Sequence, residues 1–265
     1  MTYIIFVDKP KKMTSREVCD KIKSILNCKK VGHSGTLDAN ATGLLLIGID
    51  NANKAMCLFE NLDKEYEGVM YLHKDVDIEI LNQIISKEFV GKITQLPPLK
   101  SRVARKLRKR MIYYFDIIEK KGKEVKFRTK VQAGTYIRKL VDDIGKRIKG
   151  AHLKELKRIR IGNFSLENAY TLKEVEEKKE KCFVKIEEAI DHIKKVYIKN
   201  SYLKKVLHGS PIFSDWIEKC DKEIKTKERI ALMCGNKLVG IGVAKFDLDK
   251  NYKSAIIKTD RIISD

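Results

Sequence analysis

Four side chains, scattered along the sequence, have the types and settings that could carry chemistry. Asp38 lies in residues 32 to 43, GHSGTLDANATG, a small, polar, glycine-punctuated run. Small neighbours let a substrate approach a carboxylate closely, and a carboxylate shielded from water serves as nucleophile or base. A nucleophilic carboxylate must stay ionised, which a nearby arginine favours. Arg138, in AGTYIRKL (133 to 140), is placed to do this, at the third helical position after the expected cap Thr135. From a helix start it can project toward a neighbouring loop. Tyr66, on an alternating strand, offers a ring on which a base could stack, and His33 shares the Asp38 loop. Each has a plainer reading. An Asp among glycines commonly forms an Asx-turn, a lone His beside Gly packs, surface arginines are common, and a strand tyrosine is commonly core. A phosphate-cradling reading of the loop, which would predict nucleotide binding, lacks the Lys-Ser/Thr ending of a P-loop.

These residues need a scaffold. Residues 3 to 7, YIIFV, read as a strand, and Thr14 with Glu17 forms a capping box for a helix whose apolar face is Val18, Ile22, Ile25 and Leu26. The 32 to 43 loop should follow, then an apolar strand at 44 to 49, a helix at 53 to 60, an alternating strand at 64 to 72 and a helix at 77 to 89. Two alternating stretches, 111 to 118 and 123 to 131, joined by Lys120-Lys121-Gly122, read as a hairpin. A helix opening at Thr135 runs to Ile148, a strand returns near 159 to 164, and a charged helix covers 171 to 181. From 196 onward, short strand-like runs alternate with turns, and no internal repeat occurs. The expected class is α+β: a mixed, largely antiparallel central sheet flanked by helices, plus a small β-rich module, which the resemblance given below makes a β-barrel. The division expected is 1 to 192 and 193 to 265, the second part being small but adequate for its own core.

The 265 residues carry 56 Lys+Arg against 36 Asp+Glu, a formal net charge of +20. Such an excess points to a polyanion partner, since phosphates bind Lys and Arg with release of condensed counterions. Its densest block is KSRVARKLRKR (100 to 110), which holds no acid and follows Pro97-Pro98. With 43% apolar residues the chain can build a core, which excludes a disordered basic tail. Six cysteines lie apart with no C-x-x-C pair, so no zinc ligand set is evident. No apolar run reaches the ~18 residues of a membrane span, and the first apolar stretch is too short for a signal peptide. A cytoplasmic protein is expected, nucleolar if the source is eukaryotic.

Six segments occur in order: DKPKKMTS (8 to 15), VGHSGTLDANATGLLLI (31 to 47), KEYEGVMYLH (64 to 73), LPPLKSRVARKLRKR (96 to 110), AGTYIRKLVDDIG (133 to 145) and GAHLKELKRIRIGNF (150 to 164). Together they resemble the motifs of the TruB-dyskerin family of RNA pseudouridine synthases, closest in texture to its archaeal and eukaryotic branch. YIKNSYLKKVLHGSPI and ALMCGNKLVGIGVA, farther on, are similar to a PUA domain, a small RNA-binding barrel. The resemblance implies an isomerase acting on uridine 55 of tRNA, on guide-directed sites in rRNA, or on both. Its partners would be RNA and, in the guided case, an H/ACA guide RNA with the ribonucleoprotein's other proteins. Asp38 matches the aspartate that attacks a flipped-out uridine, so that its N1–C1′ bond breaks and the base reattaches through C5. Arg138 matches the arginine paired with it and Tyr66 the tyrosine against the target base. His33, Tyr136 and Leu156 match residues lining the uridine pocket, and neither metal nor cofactor is implied. A non-catalytic RNA-binding scaffold of an H/ACA-type particle is the alternative. One departure stands out: Lys12 occupies a position where the family has glycine.

Overall fold

The computed structural model describes residues 2–98, 104–248 and 255–263. The basic block is therefore seen from Ala104 onward; Lys100 and Arg102 lie outside the described residues. One large sheet takes β1 (Tyr3–Lys9), β2 (Val31–Ser34), β3 (Thr42–Ile49), β4 (Lys64–Leu72), β5 (Gly91–Gln95), β6 (Arg108–Lys121), β7 (Glu124–Val131), β8 (Ala151–Ile161), β9 (Phe164–Ser165) and β10 (Val184–Lys185). Its order is β10-β1-β3-β8-β4-β7-β6-β5, with β2 added to β3 and β9 to β8. The β3–β8 join is parallel and only two residues long, Thr42 opposite Lys157 and Gly43 opposite Arg158. A Cβ on Gly43 would sit 2.2 Å from the Arg158 carbonyl oxygen, and its φ is +101°, so no side chain fits where the two halves of the sheet meet.

The apolar runs explain the layers. β1 and β3 are buried on both faces, which is why YIIFV and LLLI are continuous rather than alternating. Ile5, Val7, Leu45 and Ile47 pack under α1 (Ser15–Leu26) through Val18, Cys19 and Ile22. Ile4, Phe6, Leu44 and Leu46 meet a 3₁₀ helix at Asp50–Phe59. In the other half, α2 (Ile78–Glu88) and α3 (Ile137–Arg147) bury Leu81, Ile85, Leu140 and Ile144 against Met70, Leu72, Val125 and Phe127. Each of these aliphatic side chains contributes about 1.5–3 kcal/mol by leaving water. α4 (Leu172–Lys178) closes the α1 layer through Val175. The short α5 (Ile186–Ala189) and α6 (Leu203–Leu207) complete the helices.

A second sheet contains β11 (Lys195–Ile198), β12 (Ile217–Cys220), β13 (Arg229–Cys234), β14 (Lys237–Ala244) and β15 (Ile257–Ile262). Its order is β12-β11-β13-β14-β15, with β11 and β13 parallel. The class expected from the sequence is the class observed, but this sheet stops short of a closed barrel among the described residues. β12 is short and largely exposed, and the chain before it meets β15 through the isolated Ile212–Ile257 bridge and a bond from the Thr259 hydroxyl to the Ser210 carbonyl rather than through a strand ladder. Ala231, Leu238 and Ile241 of this sheet, with Ile263 just past β15, share one apolar cluster with Ile4, Phe6 and Leu44 of the large sheet.

Several boundaries differ from expectation for local reasons. The 32 to 43 loop shrinks, because Val31–Ser34 pairs with the stretch of β3 edge that β8 leaves open. The helix expected at 53 to 60 is the 3₁₀ helix Asp50–Phe59. β6 begins at Arg108, so part of the basic block is strand. β8 runs from Ala151, well before the expected 159; register shifts opposite Glu65/Tyr66 and Val69/Met70 erase its period-two pattern. α3 is capped by Tyr136, not Thr135, because the Thr135 hydroxyl donates instead to the Gln132 carbonyl at 2.7 Å. Arg138 is therefore its second helical residue. The α1 capping box is present as expected.

Lys12, where glycine was expected, has φ +66°. The turn thus demands left-handed backbone, which disfavours a side chain by ~1–2 kcal/mol, partly offset in glycine by chain entropy. Lys12→Gly should raise the unfolding free energy by about 0.5–1 kcal/mol. A melting temperature unchanged or lowered in differential scanning fluorimetry would contradict this. Among the described residues, no helix is long and apolar enough to cross a membrane.

Candidate active site

Asp38 lies on a short loop that three buried side chains hold from below. Ser15, at the start of α1, accepts the Leu37 amide at 2.9 Å and donates to the Leu37 carbonyl at 3.1 Å. Lys9, at the end of β1 and fully buried, donates to the carbonyls of Pro10 at 2.8 Å, Met13, and Ala39 at 3.2 Å. It ties the DKPKKMTS turn to the loop. Arg158 of β8, also buried, donates through Nε to the Leu44 carbonyl at 2.8 Å and through Nη2 to the Gly35 carbonyl at 2.9 Å, and hydrogen-bonds Tyr66. The Ala41 amide closes the loop onto the Asp38 carbonyl at 3.0 Å. Leu37 and Ala41 are buried in the same cluster as Tyr66 and Ile137, so the loop is bolted to the base of α3. The Asp38 side chain, 59% exposed, stands free of the anchors above it and is met by Nη2 of Arg138.

The charges beneath the loop are unusual. Burial pushes Lys9 below the ordinary lysine range, with the Asp38 carboxylate pulling the other way. Burial, reinforced by Arg158, lowers Lys64 to about 8; its ammonium donates to the Glu60 and Leu62 carbonyls. Lys9 thus lies within reach of the exposed Asp38 carboxylate, while Arg158 and Lys64 flank Gly35 at the other end of the loop, all three held by backbone carbonyls.

The remaining expected residues fall at different depths. Tyr66 is opposite Arg158 across β4 and β8 and is only 8% exposed, so most of its ring is core, with the hydroxyl on the guanidinium. Leu156 is opposite Gly68 and lines a cleft of about 270 Å³ with Asn40, Thr42, Lys126 and Lys157, immediately beside the Asp38 loop. Tyr136 is the first residue of the α3 start, its backbone gripped by Gln95. His33 is set apart: it pairs with Ile47, on the face that α1 covers. Burial and the nearby Arg158 and Arg16 push its pKa down, and Nδ1 has no hydrogen-bond partner among the described residues. The structure thus joins Asp38 to Arg138 directly, and connects Tyr66 and Leu156 to the loop through packing.

Ser15, Arg158 and Gln95 went unnoticed as functional positions. Ser15 had a signal, since it follows the capping Thr14. Arg158 had only its place in the segment 150 to 164, where Lys154, Lys157 and Arg160 beside it are of the same type.

Residues 23–137 match the model of the N-terminal domain of TruB family pseudouridylate synthases, and residues 138–209 that of the tRNA pseudouridylate synthase B C-terminal domain. The chain is 39% identical to the probable tRNA pseudouridine synthase B of Methanopyrus kandleri, over 92% of this chain and 76% of the relative. It is 36% identical to that of Methanococcus maripaludis strain C5, over 99% and 84%. Its structure is similar to a chain in the crystal structure of a Cbf5-Nop10-Gar1 complex, at a TM-score of 0.89 and 36% identity over 99% and 85% of the two chains. It is also similar to one in an H/ACA RNP bound to a substrate RNA containing 2′-deoxyuridine, at a TM-score of 0.85 and 33% identity over 99% and 85%. The fold and the family matches are those of a pseudouridine synthase, an isomerase. The chain belongs to the TruB family of pseudouridylate synthases.

Proposed function

We propose that this chain isomerises uridine 55 of tRNA to pseudouridine with Asp38 as the nucleophile. The observation that carries the reading is the contact of Arg138 with an exposed Asp38 whose loop is pinned at Gly35, Leu37 and Ala39. A rigid loop holds the carboxylate in a reactive position, and a carboxylate standing clear of the surface reaches a base that has left its stack. Attack by Asp38 leads to breakage of the N1–C1′ bond. The freed base turns and bonds to C1′ through C5 as the bond that Asp38 formed breaks and its carboxylate is released; the C5 hydrogen leaves as a proton and N1 gains one, so no oxidant or cofactor enters. Arg138 holds the carboxylate from the side of α3. Tyr66, Tyr136, Leu156 and His33 are assigned to the uridine pocket, with Leu156 in the cleft beside the Asp38 loop. Residues 193–265 are assigned as a PUA-like RNA-binding module, and the net charge of +20 as the source of affinity for the RNA backbone. A cytoplasmic setting follows from a tRNA substrate.

A second reading has its own support. Likeness over 99% of this chain to proteins solved with Nop10 and Gar1, and with substrate RNA in an H/ACA particle, favours guided modification of rRNA with an H/ACA guide RNA and such proteins as partners. A silent scaffold is disfavoured, because it has no use for the Asp38–Arg138 pair. Purified protein incubated with an unmodified tRNA transcript and no guide RNA should form pseudouridine at position 55, mapped by carbodiimide-dependent primer extension. Formation only at guide-selected sites, and only with guide RNA and partner proteins, would replace the first reading by the second.

A further inference from the structure

Helix α3 carries Arg138 in its first turn but lacks the capping box that starts α1 and α4. In α1 the amide of the cap Thr14 is accepted by Glu17 at 2.7 Å, and in α4 the amide of Thr171 by Glu174 at 2.9 Å. In α3 the residue at the corresponding third helical position is Lys139, which has no acceptor, and the cap Tyr136 makes no side-chain cap bond. Gln95 takes over this task from another strand. Its Oε1 accepts the Tyr136 amide at 3.1 Å and its Nε2 donates to the Tyr136 carbonyl at 3.2 Å, while the side chain is 2% exposed. Both ends of the amide are thus committed to one backbone residue. The same corner is touched once more: a Cβ on Gly134 would lie 2.9 Å from Nη2 of Arg110, and Arg108 is the cross-strand partner of Gln95. The basic end of β6 and the start of α3 therefore meet at Gln95.

We propose that Gln95 is a positioning residue for the isomerisation. By fixing the Tyr136 backbone it sets the origin from which Arg138 reaches Asp38, so the first turn of α3 is aimed from β5 rather than by its own sequence. The proposal rests on the assignment of Asp38 and Arg138 to catalysis.

Three variants test it in the full chain with the RNA that the wild type modifies. Gln95→Leu keeps the volume and removes both hydrogen bonds, Gln95→Glu keeps the acceptor for the Tyr136 amide, and Ile85→Val thins the same apolar cluster from α2 as a destabilised control. Single-turnover rate, RNA affinity and melting temperature are measured for each. Displacing a catalytic group by about an ångström costs ~10²-fold. Gln95→Leu should therefore lose roughly that factor in rate at saturating RNA, with affinity within about threefold of wild type. Gln95→Glu should recover part of the loss, and Ile85→Val should keep the wild-type rate while melting earlier. Gln95→Leu turning over at the wild-type rate would overturn the proposal, as would a loss that Ile85→Val shares or that appears only in affinity. Asp38→Asn run beside them separates the two questions: an active Asp38→Asn refutes the catalytic assignment itself, whereas an inactive Asp38→Asn with a fully active Gln95→Leu refutes only the role of Gln95.

Discussion

Asp38→Asn should leave a folded protein that binds RNA within severalfold of wild type and forms pseudouridine at least ~10⁴-fold more slowly, the scale of losing a nucleophile. The prediction separates chemistry from architecture because the loop's anchors do not use the Asp38 side chain. Gly35, Leu37 and Ala39 are held through backbone atoms by Arg158, Ser15 and Lys9, and the turn bond to Ala41 comes from the Asp38 carbonyl. An asparagine is the same size and fits the same turn. Its amide is a poor nucleophile, and it gives Arg138 a neutral oxygen in place of a carboxylate. The melting temperature should stay within a degree or two. Retained turnover in single-turnover assays would sink the assigned mechanism, and loss of RNA binding together with turnover would mean that the loop serves affinity rather than chemistry.

Arg158→Met should be the most damaging single change to the scaffold. Replacing a buried ion pair by apolar residues is often neutral, but here only the donor goes, and its acceptors remain. The Leu44 and Gly35 carbonyls and the Tyr66 hydroxyl would each lose a partner beneath the sheet junction. At ~1–3 kcal/mol for each group left unsatisfied, partly offset because no cation then needs burying, the net loss is about 3 kcal/mol. For a chain of this size that corresponds to a melting temperature lower by roughly 6–12 °C. Turnover should also fall at temperatures where the variant is fully folded, since the Gly35 end of the loop is released. Arg158→Lys keeps the charge but cannot reach all three acceptors from one ammonium, and should fall between. A melting temperature within two degrees of wild type for Arg158→Met would show that the carbonyls find other partners.

Much of the fold could be read from local pattern. The capping box at Thr14, the doubly buried strands β1 and β3, and the alternating β4 depend on residues close together in the chain, where period and cap chemistry act directly. Boundaries failed where a distant partner outbid a local one. Thr135 lost the cap of α3 to Tyr136 because Gln132 took its hydroxyl and Gln95 took the Tyr136 backbone. β8 hid its length because its bulges are defined only against β4. Lys12 shows the converse: the family's glycine marks a left-handed turn, and the turn persists with a lysine in it.

For the site, sequence alone determined which groups could react: a carboxylate among small residues, an arginine at a helix start, and a cationic chain made for a polyanion. It also placed the carboxylate in a loop and the arginine near a helix start, though not the bounds of either. Tertiary structure alone decided which cations are spent inside. Nothing near Lys9, Lys64 or Arg158 distinguishes them from the solvated lysines and arginines around them, because a cation is buried only where carbonyls gather to receive it. For Lys9 one of these comes from Ala39, 30 residues away, and for Arg158 they come from Leu44 and Gly35, 114 and 123 residues away. The meeting of Arg138 with Asp38, 100 residues apart, has the same origin: it exists only because Gly43 lets β3 lie against β8 and Gln95 holds the start of α3.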